Sequence, residues 1–337
     1  MPGPPVPPTT KIPAVPTDLT AGQVGERVVL RWTLPRLYTD GTRIEGWPRL
    51  EVHRAFLADA TALPEVFAGH ARIAYTIPEQ VVDTFLHDGV MVFPDVLGAA
   101  VLKQQAGQVA MYGVKAVNAK GQDAGFSNLV AVRVYPVPPP IARIEARVRA
   151  DAIELRWTPP SRTTSGTPLE AIAGYEIDRS ESGQEGSFVL HGTTGVARYE
   201  DTQFAFGRRY FYRVRTLAQF GADTVESENS AVVEVTARDV FPPPAPANLI
   251  AVAGAARVDL TWDASPADDL AGYLFYRSRQ SGAGYERLTP QALRAQSFSD
   301  TGLEAGVQYY YVVTAVDREG NESGYSEEAA ATPLPPE

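Results

Sequence analysis

Cysteine is absent from the 337 residues, which excludes disulfides, thiol nucleophiles and thiolate metal sites. That absence leaves the compartment open, because exported proteins without disulfides are common. Histidine is scarce. His53, His70, His87 and His191 are the only four, and none stands in an H-x-x-x-H or H-E-x-x-H pattern, so no zinc site is expected. No apolar run approaches the roughly 20 residues needed to span a bilayer as a helix. Basic residues number 30 against 40 acidic ones, a net charge of −10. The imbalance grows along the chain, from 12 basic and 12 acidic residues between Lys11 and Arg133 to 6 and 13 between Arg257 and Glu337. Such a charge argues against nucleic acid as a partner.

Groups that could do chemistry are equally sparse. Asp268 and Asp269, like Glu327 and Glu328, are adjacent carboxylates, and neighbours on a strand point to opposite faces. Gly282 and Gly284 sit where a hairpin loop is expected, without the helix and lysine of a phosphate loop. The stretch Asp317-Arg-Glu-Gly-Asn-Glu-Ser323 lacks calcium-loop spacing and reads as a solvated turn. No catalytic residue, cofactor or metal site is expected, and the chain reads as non-enzymatic.

What is present is proline, in clusters, and tyrosine in alternating strands. The opening M-P-G-P-P-V-P-P-T-T-K-I-P cannot form a helix or central strand and reads as an extended leader over residues 1–13. It has no charged n-region followed by an apolar core, so no signal peptide is expected within it. Proline clusters recur at 136–140 and 241–246, which are read as short, semi-rigid linkers, and residues 334–337 form a tail. These clusters mark off segments 14–135, 141–240 and 247–333, each of ordinary domain size.

The segments are repeats. Each has an apolar residue 13 positions before a tryptophan: Leu19 and Trp32, Ile144 and Trp157, Leu249 and Trp262. Each tryptophan closes an alternating strand, and each is followed by a strand ending in arginine at Arg54, Arg179 and Arg277. An Asp-Thr pair follows at Asp83, Asp201 and Asp300, and then a tyrosine nine residues before a glycine, at Tyr112, Tyr212 and Tyr311. Short alternating strands separated by turns, with no convincing helix, predict an all-β fold of antiparallel sandwiches.

The third segment, through L-T-W262, G-Y273-L-F-Y-R277 and L303-x-x-G306-x-x-Y309-x-Y311, resembles a fibronectin type III domain. The second is similar through L-R-W157, G-Y175-E-I-D-R179 and F204-x-x-G207-x-x-Y210-x-Y212. The resemblance implies three tandem immunoglobulin-like (fibronectin type III) β-sandwiches joined by proline-rich linkers. It places Tyr210 and Tyr309 at the tyrosine corner, and Trp157 and Trp262, with Trp32 at the same position, in the cores.

The first segment departs from the pattern. Ala110 stands three residues after Gly107, where the corner tyrosine is expected, and Leu50 replaces the tyrosine of the arginine-ended strand. Counted from Asp83, Gly107 lies 24 residues on, against 6 in each other repeat, so an insertion is expected near residues 86–106. From tryptophan to arginine the first two repeats span 22 residues and the third only 15. Trp47, outside the repeated core position, and Met91 and Phe93 in the insertion are the candidate contacts for a protein or glycan partner. The alternative is that the insertion folds back as a hairpin and Trp47 caps the sandwich edge.

Gly3, Pro4 and Pro8 of the leader resemble the stretch after the lipid-bearing cysteine of some bacterial envelope lipoproteins. That resemblance implies an extracytoplasmic location, at the cell envelope or secreted, as in an outer-membrane lipoprotein whose signal has been removed and whose lipid anchor lies upstream of this chain. The function expected is a modular scaffold or spacer mediating protein interaction at a bacterial envelope. Two alternatives stand beside it: an adhesive or carbohydrate-binding accessory module, and a self-assembling subunit of a filament or layer.

Overall fold

Each tryptophan-ended strand places two apolar residues and an indole on one face, and burial of that face organises the fold. Val28, Leu30 and Trp32 are buried, as are Ile153, Leu155 and Trp157, and Val258, Leu260 and Trp262. A computed structural model describes residues 11–61 and 64–336, so the leader residues Gly3, Pro4 and Pro8 lie outside the described part. The protein is all-β.

The first repeat contributes β1 (Thr20–Val24), β2 (Arg27–Thr33), β3 (Arg49–Leu57), β4 (Arg72–Ile77), β5 (Leu86–His87), β6 (Val90–Val96), β7 (Val109–Val117) and β8 (Val130–Arg133). The second contributes β9 (Ile144–Val148), β10 (Ile153–Trp157), β11 (Ala171–Ser180), β12 (Val189–Thr194), β13 (Arg198–Asp201), β14 (Arg209–Phe220), β15 (Asp223–Glu226) and β16 (Val233–Thr236). The third contributes β17 (Ile250–Gly254), β18 (Arg257–Thr261), β19 (Leu270–Ser278), β20 (Glu286–Arg287), β21 (Ser297–Thr301), β22 (Tyr309–Asp317) and β23 (Ala329–Ala331).

These strands fall into two compact units. One holds residues 11–147, Ile153–Thr202 and Arg209–Thr236; the other holds Val148–Ala152, Gln203–Arg208 and residues 237–336. In the second unit the sheet β17-β18-β21 faces β20-β19-β22-β23. Trp262, Tyr273, Phe275, Tyr311 and Val313 fill the space between them.

The first unit is built differently. A four-stranded sheet, β4-β3-β7-β8, belongs to the first repeat alone. A nine-stranded sheet, β12-β11-β14-β15-β1-β2-β6-β5 with β16 on β14, runs from the second repeat into the first. The join is parallel, with Val24 beside Glu226 and the Gly25 amide donating to the Glu226 carbonyl at 3.0 Å. Beneath it Leu169, Ala218, Phe220 and Val225 of the second repeat belong to the same apolar cluster as Trp32 and Tyr112 of the first. Tyr135 stacks on Phe220 with centroids 4.9 Å apart and donates to Asp223 at 2.7 Å, while Arg27 pairs with Glu228 at 2.7 Å.

The segment 136–140, expected to be a linker, is therefore part of this body. Val137 is 1% exposed, and its carbonyl accepts from the Thr164 amide at 2.8 Å. Ile12 does the same for Thr39 in the first repeat, also at 2.8 Å. Both bonds are made by the longer tryptophan-to-arginine loop, which closes on itself through Tyr38 and Thr42 or Thr163 and Thr167, at 2.8 Å in each case. Gly41 and Gly166 turn these loops with φ of +80° and +81°, where a side chain would be strained. Proline suits position 13, between the Ile12 carbonyl and the Ala14 amide, which donates to the Leu37 carbonyl at 3.0 Å, because proline lacks a donor.

The region near 86–106 also differs from expectation. It holds β6, paired with β2 from Arg27↔Val96 to Thr33↔Val90, and the helix α2 (Gly98–Gln104), anchored by the buried Leu102. The other short helix, α1 (Pro64–His70), is anchored by the buried Phe67. No helix was expected. Both lie in excursions of the first repeat, each held by a single buried apolar side chain.

Candidate functional site

The repeated landmarks converge on one buried cluster per repeat. Asp201 accepts from Arg179 at 2.8 Å, from the Tyr212 hydroxyl at 2.7 Å, and lies 3.0 Å from His191 Nε2. Asp300 accepts from Arg277 at 2.9 Å and from Tyr311 at 3.0 Å. In the first repeat the acceptor is Asp95, which takes Arg54 Nη1 at 2.6 and 2.8 Å and Tyr112 at 2.8 Å. Asp83 is thus not the counterpart of Asp201 and Asp300. The pairings Val28↔Asp95, Ile153↔Asp201 and Val258↔Asp300 fix the equivalence. From Asp95 to Gly107 is 12 residues, so the excess over the other repeats is 6 rather than 18, and the remaining extra length lies ahead of β6.

In each cluster the aspartate comes from one sheet and the arginine and tyrosine from the facing one, so the cluster pins the sandwich across its core. Asp95, Asp201 and Asp300 are at most 7% exposed. Burial first, and then the neighbouring carboxylate, push the Tyr112, Tyr212 and Tyr311 phenols far above their ordinary value. A carboxylate saturated by arginine and a phenol that holds its proton has no capacity left for general base or acid work at neutral pH.

The corner positions behave as scaffold. Tyr309 is 2% exposed, and its hydroxyl accepts from the Glu304 amide at 3.4 Å while Arg277 lies over its ring at 5.3 Å. Tyr210 is 3% exposed beneath Arg179, at 4.9 Å. Trp32, Trp157 and Trp262 are core residues at 1%, 7% and 5%.

Of the candidate contacts, Met91 and Phe93 require correction. Met91 is fully buried and Phe93 is 5% exposed, with Phe93 meeting Phe85 and Tyr75 edge to face. Alternation along β6 turns both toward the core, because Phe93 pairs with Leu30 and Met91 with Trp32. They cannot meet a partner at the surface. Trp47 stands apart from them, half-buried on the edge of the first repeat's core. Its indole donates to Asp83 at 2.8 Å, and the Arg36 guanidinium lies 4.9 Å from its ring centroid. It lines an open cleft of about 380 Å³ with Tyr38, Glu45, Glu79, Gln80 and Asn118.

A feature missed in the sequence lies in the second unit. Carboxylate oxygens of Asp239, Asp269, Asp317 and Glu319 lie within 4.8 Å of one another, an all-oxygen set of the kind hard cations accept. Asp317 is 2% exposed and accepts from the Asn321 amide at 2.7 Å, so the turn is anchored at its start while Arg318, Glu319, Gly320 and Glu322 remain exposed. Burial, opposed by a bond from Phe241 and reinforced by Asp269 and Asp317, raises the Asp239 carboxyl above its ordinary value. The signal would have been Asp317 and Glu319 two apart on a turn, but their partners lie 48 and more residues away in sequence.

The paired sheets, tryptophan-centred cores and corner tyrosines give the class: a fibronectin type III-like β-sandwich protein whose buried Arg–Asp–Tyr clusters join its facing sheets. No family model matches the chain. Exoglucanase B of Cellulomonas fimi is 28% identical over 345 aligned positions, covering 98% of this chain and 26% of that protein. Amylopullulanase of Thermoanaerobacterium thermosulfurigenes is 37% identical over 99 residues, covering 29% of this chain and 5% of that protein. The chain therefore spans a minor part of these curated relatives. Among solved structures, an Fn3-like protein from Clostridium thermocellum is 33% identical, with a TM-score of 0.25, over 29% of this chain and 99% of that one. The FN1–FN3 domains of chicken CNTN1 are 14% identical, with a TM-score of 0.28, over 96% of this chain and 99% of that one.

Proposed function

We propose that the chain is a non-enzymatic, extracytoplasmic scaffold segment that presents other domains or partners at a bacterial envelope, in a glycan-processing setting. The observation that carries the reading is the sheet continuous from the second repeat into the first, which makes a stiff body out of what would otherwise be two hinged modules. The saturated Arg–Asp–Tyr clusters support a structural role for the buried charges. The glycan setting is borrowed from exoglucanase B, whose alignment covers nearly the whole of this chain. Attachment by a lipid anchor ahead of the proline-rich leader belongs to the same proposal.

The chain lacks cysteine, so introduced pairs report cleanly. Nitroxides on Lys103→Cys and Glu200→Cys, both exposed, one in each of the first two repeats, should give a single narrow distance distribution by pulsed electron spin resonance. A broad or multimodal distribution would sink the scaffold reading, because a hinged pair of modules cannot hold partners at a fixed spacing.

A further inference from the structure

The cleft beside Trp47 occupies a corner that the second repeat uses for another purpose. There Ala218 and Val225 are buried in the cluster shared with the first repeat, and Leu169 and Phe220 pack against it. Matching Trp32 with Trp157, Tyr112 with Tyr212, and the residue paired to Asn118 with the one paired to Ala218, the same positions in the first repeat are Ile44, Asn118, Lys120 and Gln122. Two amides and an ammonium replace three of the apolar side chains that make the junction. This corner is therefore not built to bury itself against another sandwich, and it stays open.

What it offers is an aromatic pair, Tyr38 and Trp47, among hydrogen-bonding groups from Glu45, Glu79 and Gln80, while the Asn118 side chain is already bonded to Lys11, Lys120 and Gln122. The Asp83 and Arg36 contacts hold the indole in one orientation, so little side-chain freedom remains to be lost on binding. At about 380 Å³ the cleft is within the range of small-ligand sites. Carboxylates only accept hydrogen bonds. Their ligand must therefore bring several donors together with an apolar face for the rings. A pyranose does both, with hydroxyls around its rim and C–H groups on its faces. A proline-rich peptide has the apolar face but few donors.

We propose that this cleft is a saccharide-binding site, with Trp47 as the stacking residue and Glu45 and Glu79 as hydroxyl acceptors. The other three tryptophans are core residues, so a change in indole emission reports on Trp47. The intact chain is titrated with a glucose hexasaccharide of the α-1,4 series, one of the β-1,4 series, and a proline-rich peptide. A saturable change with at least one of the sugars is expected, and which of them gives it identifies the linkage. Calorimetry should show that binding lost in Trp47→Ala, and weakened by about tenfold in Glu79→Gln, whose carboxylate is exposed. No saturation by either sugar up to about 10 mM overturns the proposal, since that bounds affinity below any useful range. So does binding that survives both substitutions, or saturation by the peptide alone.

Discussion

Between tryptophan and arginine the first two repeats carry seven residues more than the third, and those residues change how a sandwich treats the chain before it. In the first two, the extra length closes into a glycine-turned loop that grips a carbonyl of the preceding proline segment, at Ile12 and at Val137. The third has Trp262 and Arg277 at the shorter spacing, and its first hairpin is met by its own tail, with the Leu334 amide donating to Gly254 and the Ala256 amide to Leu334. The comparable place in the first repeat, beside Val24 and Gly25, is taken by β15 of the second. One hairpin rim thus meets a parallel extended segment in both cases, supplied once by a neighbouring repeat and once by the segment that follows β23. Similar sandwiches become coupled or self-closed according to a loop and a few apolar side chains.

The largest expected effect tests what the repeats share. Asp95→Ala, Asp201→Ala and Asp300→Ala each strand an arginine and a phenol in the core, and each should cost about 3–5 kcal/mol in denaturant unfolding. If Asp83→Ala rather than Asp95→Ala carried that loss, the equivalence of the three clusters would be wrong. A smaller effect isolates the junction. Gly25 has φ of +57°, and a Cβ there would run into the Glu228 side chain, so Gly25→Ala should cost about 1–2 kcal/mol. Hydrogen exchange should place that loss on β1 and β15; a change spread evenly over the first repeat would mean the join contributes little.

The smallest effect is pH-dependent. Burial and the bond to Asp223 push the Tyr135 phenol up to about 12, from an ordinary value of about 10. Because the folded state prefers the protonated phenol, the stabilisation is complete below pH 10 and is lost as pH rises from there through 12. Tyr135→Phe should remove about 1 kcal/mol at neutral pH and reduce the alkaline component, the rest of which comes from phenols such as Tyr276 and Tyr285, also pushed up to about 12. An unchanged alkaline profile in Tyr135→Phe would exclude this bond as a contributor.

Much of the fold was legible because it is periodic. Alternation through Val28, Leu30 and Trp32, repeated twice, states which face is buried, and three of the repeated landmarks turn out to be one cluster seen from different strands. Asp83 misled because it matches the local Asp-Thr motif, whereas Asp95 sits in Phe-Pro-Asp-Val and is identified only by its pairing with Val28. The junction was hidden for a similar reason. Proline clusters read locally as linkers, and the countersign lay far off, in Ala218, Phe220 and Val225 standing where the first repeat has Asn118, Lys120 and Gln122. Trp47 was visible as the one tryptophan out of register. Met91 and Phe93 were visible only as apolar, and apolar residues in an insertion point to a surface or a core equally well until their strand partners are known.

The sheet that crosses from β15 to β1 also sets a condition on synthesis. The first repeat is complete at Arg133, but the strand that covers its β1 edge ends at Glu226, 93 residues later. At roughly 5–20 residues per second, a ribosome leaves that edge and the apolar rim beneath it uncovered for about 5–20 s. During that interval the nascent chain offers a strand edge to its neighbours on the polysome, and the second repeat arrives as an intramolecular guard against their association.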